Sequence, residues 1–160
     1  DNMILGRVAR SKIGNLDGKD WEFVQRLDGK YNPTWGPRHE PAIYILRAPG
    51  RCGEAGVQYL PGVDVYVLPQ WHYPTLNDTP QVEGWDHTRF ELYQAPHPWG
   101  PWTLFHSQDF QPQGYYNPAI PSKFVSPDGK SFWIVVAGNF NGDPRPYYTI
   151  NLIPVKLEVS

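Results

Sequence analysis

The sequence predicts an all-β domain made of many short strands joined by tight turns. Among its 160 residues are 18 Pro and 15 Gly, which interrupt helices and favour turns. Aromatic residues make up 15% of the chain, whereas disordered chains that are rich in Pro and Gly are poor in aromatics. No stretch sustains helical periodicity between these breakers, so short strands are the regular structure that the pattern favours.

Ten segments have the length and the apolar patterning that are typical of β-strands. In chain order they are residues 4–8, 21–25, 42–46, 57–60, 63–68, 88–93, 102–106, 120–125, 131–137 and 147–153. Pro61-Gly62 and Pro127-Asp128-Gly129 each lie between two such segments. Both are turn sequences, so each predicts a β-hairpin.

These two hairpins resemble each other, which indicates an internal repeat. Residues 58–68 and 123–136 each contain an aromatic residue, a turn and a second aromatic residue inside an apolar strand. Residues 20–25 and 101–107 form a second matching pair. Repeats in a fixed order at irregular spacing predict β-propeller blades with long insertions.

The chain contains enough strands for about two four-stranded antiparallel blades, whereas closed propellers have about four to eight. Residues 1–160 are therefore predicted to form a single but incomplete propeller-type domain. It would be the C-terminal part of a larger propeller, or it would be completed by another chain. Alone, it would expose sheet faces and edges that pair with other strands.

Charge and motifs exclude several classes of function. The formal net charge of −2 does not favour a nucleic acid or an anionic membrane as partner. No apolar run reaches membrane-spanning length, and the single Cys52 excludes an intrachain disulfide and a thiolate metal site. The five histidines show no short zinc-type spacing, and no phosphate loop or nucleophile elbow is present. No metal or cofactor is predicted from these motifs.

Four stretches resemble a known family. They are "GRVARSKI…WEFVQRLDG" (6–29), "PGRCGEAGVQYLPGVDVYVL" (49–68), "YQAPHPWGPWTLFHS" (93–107) and "PSKFVSPDGKSFWIVVAG" (121–138). These stretches resemble the C-terminal blades of five-bladed propellers in a family of uncharacterised domains related to arabinanase-type and furanosidase-type glycoside hydrolases. Most of the chain is covered, and "APHPWGPW" (95–102) is the most specific motif.

The resemblance implies a glycoside hydrolase-like protein that acts on a plant or microbial cell-wall polysaccharide of the furanoside or arabinan type. Carbohydrate would be its partner, and an extracellular location would follow from that substrate. The alternative is a non-catalytic carbohydrate-binding or assembly module, completed by a second chain or a second copy. Whether a divalent cation lies on the propeller axis is left open by the resemblance.

The "APHPWGPW" motif is predicted to pack rather than to bind sugar. Proline fixes φ and is tolerated at sheet edges, where its missing N–H breaks no ladder. Large aromatic side chains usually bury area, so Trp99 and Trp102 are expected to fill the gap between neighbouring sheets.

Arg51 and Glu54 precede a predicted inner strand, where propeller loops converge on the channel mouth. Gly53 and Gly56 flank the carboxylate and leave room for a ligand to approach. Glu54 is a candidate catalytic acid, and Arg51 a candidate substrate-binding residue that would also lower the pKa of the carboxyl group. The alternative is a structural Arg–Glu pair that ties neighbouring sheets together.

The segment after the following strand supplies further candidates. His72 and Tyr73 are candidates for substrate binding, although a hydrogen-bonded loop histidine is the simpler interpretation of His72. The polar insertion at 75–87 is too long for a hairpin and contains Trp85, a candidate for sugar stacking, and Asp86, a second candidate catalytic carboxylate.

Asn117 and Lys123 lead into the last predicted inner strand and complete the substrate-binding candidates. Asn117 belongs to a segment rich in tyrosine, residues 114–124, that would reach the channel. Glycoside cleavage requires two carboxyl groups roughly 5–9.5 Å apart. In the related hydrolases at least one of them lies in N-terminal blades, which residues 1–160 do not include.

Overall fold

The computed structural model describes residues 2–15, 17–74, 88–110, 115–138 and 149–158. These residues form twelve β-strands and three short 3₁₀ helices, Arg10–Asn15, Gly18–Asp20 and Ser122–Phe124. The strands are β1 Asn2–Met3, β2 Gly6–Val8, β3 Trp21–Leu27, β4 Pro33–Pro37, β5 Leu46–Arg47, β6 Gln58–Leu60, β7 Val65–His72, β8 Thr88–Ala95, β9 Thr103–Phe110, β10 Tyr116–Ala119, β11 Ser131–Ala137 and β12 Ile150–Lys156. The protein is therefore mostly β, as the sequence predicts.

All of these strands pair antiparallel, in four sheets. The N-terminal sheet has the order β2-β3-β4, and β1 pairs with β5 in a two-stranded ladder. The central sheet has the order β6-β7-β8-β9, a meander in which consecutive strands are neighbours. The C-terminal sheet has the order β10-β11-β12. The described strands do not close into a propeller ring.

The structure corrects the predicted strand inventory in several places. Of the predicted strand 42–46 only Leu46 belongs to a strand, and β1 and β10 were not predicted. The central sheet is the one four-stranded sheet among the described residues, where about two were expected. Residues 120–125 form not one strand but the 3₁₀ helix Ser122–Phe124 followed by a single bridge from Val125 to Phe132. Pro121 precedes this helix, and its fixed φ with no N–H does not suit a ladder position. β4 was not predicted, because Pro33 and Pro37 occupy its ends; as an edge strand it tolerates both.

Both faces of the central sheet are buried. Residues 67–70 of β7 and residues 90–93 of β8 are buried without alternation, which is typical of a sheet covered on both sides. One face shares a core with the C-terminal sheet. That core consists of Leu60, Val67, Phe90 and Leu92 with Ile120, Phe132, Ile134 and Val136.

The opposite face of the central sheet is covered by the segment around β5. Leu68 and Tyr93 pack there against Leu46 and Ala48, and Met3 and Cys52 border the cluster. The central sheet is thus the middle layer of a stack, with the C-terminal sheet on one side and the β1–β5 ladder on the other.

The C-terminal sheet is buried on one face only. In β11 the residues alternate between exposed or intermediate and buried, and in β12 between exposed and intermediate. Its outer face carries apolar side chains: Trp133 is 43%, Leu152 50% and Ile150 78% exposed. These three residues mark an apolar sheet face that no described residue covers to the extent seen on the central sheet.

The two predicted hairpin turns pack against each other. A Cβ atom on Gly62 would collide with the backbone of Asp128 and Gly129, so the close approach of these turns requires glycine at position 62. Gly129 has a φ of 69°, which also favours glycine. This contact aligns the ends of the central and C-terminal sheets.

The predicted packing role of the "APHPWGPW" motif is confirmed. The Trp99 indole donates a hydrogen bond to the Tyr31 carbonyl at 2.7 Å and meets Trp35 edge-on with centroids 6.1 Å apart. Trp102 packs against the cluster of Leu46, Ala48, Leu68 and Tyr93. The motif therefore joins the central sheet to the N-terminal sheet and to the β5 segment.

Phe132 and Trp133 are neighbours in β11 but face opposite sides of the sheet, so they provide a matched test of the shared core. Phe132 is 2% exposed, and Phe132→Ala is expected to lower the free energy of unfolding by about 3–5 kcal/mol. Trp133→Ala, on the open face, is expected to cost about 1 kcal/mol or less. Urea unfolding of both variants measures the difference, and equal losses would contradict the one-sided burial.

Candidate functional site

The loops beside the predicted site residues lie at one end of the stack. β7 ends, and β6, β8 and β10 begin, at the end that we call the loop end. The opposite end, where the turns of Gly62 and Gly129 meet, is the turn end. Antiparallel pairing places the start of every second strand at the same end of its sheet. The contact between the turns of Gly62 and Gly129 aligns the two sheets, so the segments before β6 and before β10 lie at the same end of the stack.

Three aromatic side chains cluster at the loop end, and we call them the aromatic cluster. The ring of Trp71 lies edge-on to Tyr73 with centroids 5.3 Å apart, and it is tilted against Tyr116 at 5.6 Å. Each of the three is half-buried. Trp71 and Tyr73 come from the end of β7 and Tyr116 from the start of β10, so the cluster spans the central and C-terminal sheets.

The loop that carries Glu54 is fixed to this aromatic cluster. The Trp71 indole N–H donates a hydrogen bond to the Glu54 carbonyl at 3.0 Å. A Cβ atom on Gly53 would collide with the same indole ring, so glycine at position 53 permits the contact. Glu54 itself is exposed, and its main-chain carbonyl is the group that contacts the aromatic cluster.

A buried carboxylate lies deeper in the central sheet. Glu91 is 3% exposed, and its Oε2 accepts a hydrogen bond from the Tyr93 hydroxyl at 2.7 Å. Its Oε1 lies 3.5 Å from Nη1 of Arg51, whose own side chain is 46% exposed. A buried carboxylate requires such partners, because removing an ion from water without them costs several kcal/mol. Glu91 therefore holds Arg51 against the sheet.

Further polar and sulfur groups surround Glu91. Gln70 is paired with Glu91 across β7 and β8, is completely buried, and donates from Nε2 to Sδ of Met3 at 3.4 Å. Its Oε1 accepts no hydrogen bond from any described residue. Burial raises the pKa of the Cys52 thiol, and the charge of Glu91 adds to the rise, so this thiol stays protonated at neutral pH.

Most of the described candidate residues lie at the same end of the stack, but on both faces of the central sheet. Arg51 contacts Glu91 on the face toward β5, whereas Tyr73 contacts Trp71 on the face toward the C-terminal sheet. Arg51, Glu54, His72, Tyr73 and Asn117 all lie at the loop end. His72 is 8% exposed and is the last residue of β7; Asn117 is exposed in β10 with a φ of 53°.

Two groups of candidates lie elsewhere. Lys123 belongs to the connection between β10 and β11 at the turn end, where its Nζ lies 4.9 Å from the Phe124 ring centroid. It is therefore apart from the other candidates. Trp85 and Asp86 lie outside the described residues.

Sequence reasoning did not select Trp71 or Glu91. Trp71 and Tyr73 are two residues apart in one extended segment, so they share a side, and that spacing was the available signal. The signal for Glu91 was a charged residue inside the apolar run "FELY", since Glu is almost never fully buried unless paired. Nothing in the sequence indicates that Tyr116 meets Trp71, because that contact joins two sheets.

The arrangement provides flat apolar surfaces, an exposed glutamate and a cationic group at one end of the stack. Among the described ranges, no three His, Cys, Asp or Glu side chains are grouped in a way that would hold a metal ion. No helix in the described part of the chain has the length and apolar character needed to cross a membrane.

Comparison of the chain with protein-family models, with curated proteins and with solved structures gave no match.

Gly53 and Gly56 allow a matched test of the contact between Trp71 and the Glu54 loop. Gly53→Ala is expected to displace the indole and to lower the free energy of unfolding by about 1–3 kcal/mol. Gly56→Ala adds a methyl group that meets nothing within 4 Å, so a change within about 0.5 kcal/mol is expected. The Trp71 indole N–H resonance should shift in the first variant only; an unshifted resonance would contradict the contact.

The buried Tyr93 hydroxyl predicts a loss of stability at alkaline pH. Burial, together with the hydrogen bond to Glu91, raises the pKa of Tyr93 above its ordinary value near 10. Above pH 10 the Tyr93 hydroxyl loses its proton in the unfolded chain but keeps it in the folded chain. The stability that this hydroxyl contributes is therefore complete below pH 10 and declines as the pH rises further.

The comparison uses unfolding free energies of the wild type and Tyr93→Phe at pH 8, 9, 10 and 11. The advantage of the wild type over the variant should be constant up to about pH 9.5 and should shrink above pH 10. An advantage that stays constant to pH 11 would show that Tyr93 ionises equally in both states.

Proposed function

We propose that this chain belongs to an extracellular carbohydrate-binding β-propeller, in which the central and C-terminal sheets are neighbouring blades and sugar binds at the loop end. The blade arrangement is supported by the four-stranded meander and by the face-to-face packing of sheets in chain order. A two-layer sandwich would leave one face of each sheet in water, whereas the central sheet is buried on both.

The apolar outer face of the C-terminal sheet is the second observation that supports the proposed blade arrangement. In a propeller every sheet face is covered by the next blade. Trp133, Ile150 and Leu152 form a face of this kind, exposed in the described structure. The remaining blades would come from a second chain, from a second copy, or from further residues of a longer polypeptide.

The aromatic cluster is the observation that carries the proposed binding of carbohydrate. Half-buried aromatic rings present apolar faces to ligands while keeping polar edges in water, and binding sites combine such rings with a few placed polar groups. Trp71, Tyr73 and Tyr116 supply the rings. The exposed Glu54 would supply an acceptor for hydroxyl groups at the same end, and the exposed part of the Arg51 side chain would supply a donor.

Hydrolysis of a furanoside polysaccharide is the second candidate function, and it is favoured by an exposed glutamate, Glu54, whose main-chain carbonyl is bonded to Trp71 of the aromatic cluster. A second carboxyl group is required roughly 5–9.5 Å away. Glu91 does not suit this role, because Tyr93 and Arg51 engage it inside the core. The partner carboxylate would be Asp86 or a residue of another blade.

The test is calorimetric titration of the protein with debranched arabinan and with arabino-oligosaccharides. Trp71→Ala is expected to weaken binding at least tenfold, which corresponds to about 1.4 kcal/mol. Trp133→Ala removes an exposed tryptophan far from the loop end and should leave affinity unchanged. Tyr116→Phe, which keeps the ring, should bind within about twofold of the wild type.

Release of reducing ends from the same substrates separates the two candidates. Turnover that disappears in Glu54→Gln, with binding retained, supports hydrolysis. Binding without turnover supports a binding module. No binding to furanoside or pyranoside polysaccharides, or full affinity in Trp71→Ala, would contradict the proposed site.

A further inference from the structure

Among the described residues, no strand pairs with the outer edge of β12. The central sheet has four strands, and β9 pairs along the full length of β8. The C-terminal sheet ends at β12, which pairs with β11 on one side and with no described strand on the other. An open edge presents backbone N–H and C=O groups to any extended chain that approaches it.

Hydrogen bonds at the two ends of the β11–β12 ladder show which backbone groups of β12 face away from β11. The Leu157 N–H donates to the Lys130 carbonyl at 2.7 Å, and the Gly138 N–H donates to the Thr149 carbonyl at 3.1 Å. Backbone groups alternate in direction along an antiparallel strand, so the odd-numbered residues of β12 bond to β11. The even-numbered residues Ile150, Leu152, Pro154 and Lys156 direct their backbone groups to the open edge.

Pro154 therefore occupies a position at which its missing N–H removes no hydrogen bond within the sheet. The open edge offers the carbonyls of Ile150, Leu152, Pro154 and Lys156 but only the N–H groups of Ile150, Leu152 and Lys156. A strand of matching sequence can use these groups, whereas two copies of β12 paired with each other would contain the proline gap twice. The edge thus disfavours a second copy of β12 and permits a different strand.

A groove of about 490 Å³ runs beside this edge. Six consecutive residues, 153–158, line one wall, which over five intervals spans about 17 Å, the length of an ordinary strand. Phe90, Leu92, Phe105 and Phe110 of the central sheet line the other side. Phe90 and Leu92 belong to the core that the two sheets share, so the groove continues an interface that already exists.

Side chains of β12 that face the groove are incompletely buried. Ile153, Val155 and Leu157 pack against the shared core but remain partly exposed, whereas Phe90 and Leu92, on the strand that β9 covers, are 2% and 3% exposed. A strand beside β12 would place apolar side chains over these three residues. A small apolar molecule would fill the groove and leave the backbone groups of the edge without partners.

We propose that an extended segment of a partner protein, with apolar side chains at alternate positions, adds antiparallel to β12 as the fourth strand of the C-terminal sheet. Its backbone bonds to Leu152, Pro154 and Lys156, and its apolar side chains enter the groove. Carbohydrate binding at the loop end is not required for this addition, because the groove lies between β9 and β12.

The probe is a fluorescein-labelled peptide, Thr-Val-Thr-Val-Lys-Val-Thr-Val, titrated with the full chain and followed by anisotropy. Saturable binding is expected, with slower hydrogen exchange of the Leu152 and Lys156 amides. The amides of Ile153 and Val155 already bond to β11 and should change little. The same peptide with alternate amides N-methylated is the matched control and should not bind.

Two variants of the protein test the role of the edge itself. Pro154→Thr adds one donor and should tighten peptide binding about two- to tenfold. Lys156→Pro removes an edge donor without breaking a bond to β11, so binding should weaken at least threefold while the circular dichroism spectrum is retained. These opposite effects at two positions of one edge distinguish strand addition from loss of folding.

Three results would overturn the assignment. The first is absence of binding by the unmethylated peptide. The second is equal binding of the N-methylated peptide, which would make the groove a site for apolar molecules only. The third is a dimer of the free chain that Lys156→Pro dissociates in light scattering, which would make a second copy the occupant.

Discussion

The burial of the central sheet on both faces is the constraint on which the rest of the structure depends. A sheet covered on both sides cannot alternate apolar and polar residues, and β7 and β8 accordingly carry consecutive buried residues. Any polar group placed in such strands must find its partner inside the protein. Glu91 does so through Tyr93 and Arg51, and because Arg51 precedes β6, the need to pair one buried carboxylate also holds the loop before β6.

The geometry of the loop end follows from that attachment. Between Arg51 and β6 the chain passes beneath Trp71, where Gly53 leaves room for the indole and the Glu54 carbonyl accepts its N–H. Trp71 in turn contacts Tyr116 of the neighbouring sheet. A continuous set of contacts therefore runs from the core carboxylate to the exposed side chain of Glu54. A site on a loop is usually mobile, but here the loop is fixed at two points by residues of the rigid central sheet.

Local sequence patterns predict the turns and most strands of this fold, but they do not predict contacts between sheets. The turns at Pro61-Gly62 and Pro127-Asp128-Gly129 are predictable because two or three adjacent residues determine a turn. The prediction of a strand over residues 120–125 is wrong, because it rests on the apolar residues of this segment although Pro121 disfavours a ladder position. Of the site, the placement of Arg51 and Glu54 before a strand, which is β6 in the structure, was predictable. Their connections to Glu91 and Trp71 were not, since those depend on which faces pack. Lys123 was grouped with them although the chain reverses between β10 and β11, which carries it to the turn end.

The outer face and the outer edge of the C-terminal sheet differ in the contacts that they favour. Its outer face is left strongly apolar, with Ile150 78% exposed, and the cost of hydrating such a surface favours broad contact with any sheet of similar shape. Its outer edge instead has a proline at the one kind of position where proline breaks no internal bond, a device that limits unselective strand pairing. The face is suited to permanent burial by a further sheet of an assembly. The edge, which retains three N–H donors and four carbonyl acceptors and lacks only the N–H of Pro154, is suited to a strand whose own pattern matches that gap.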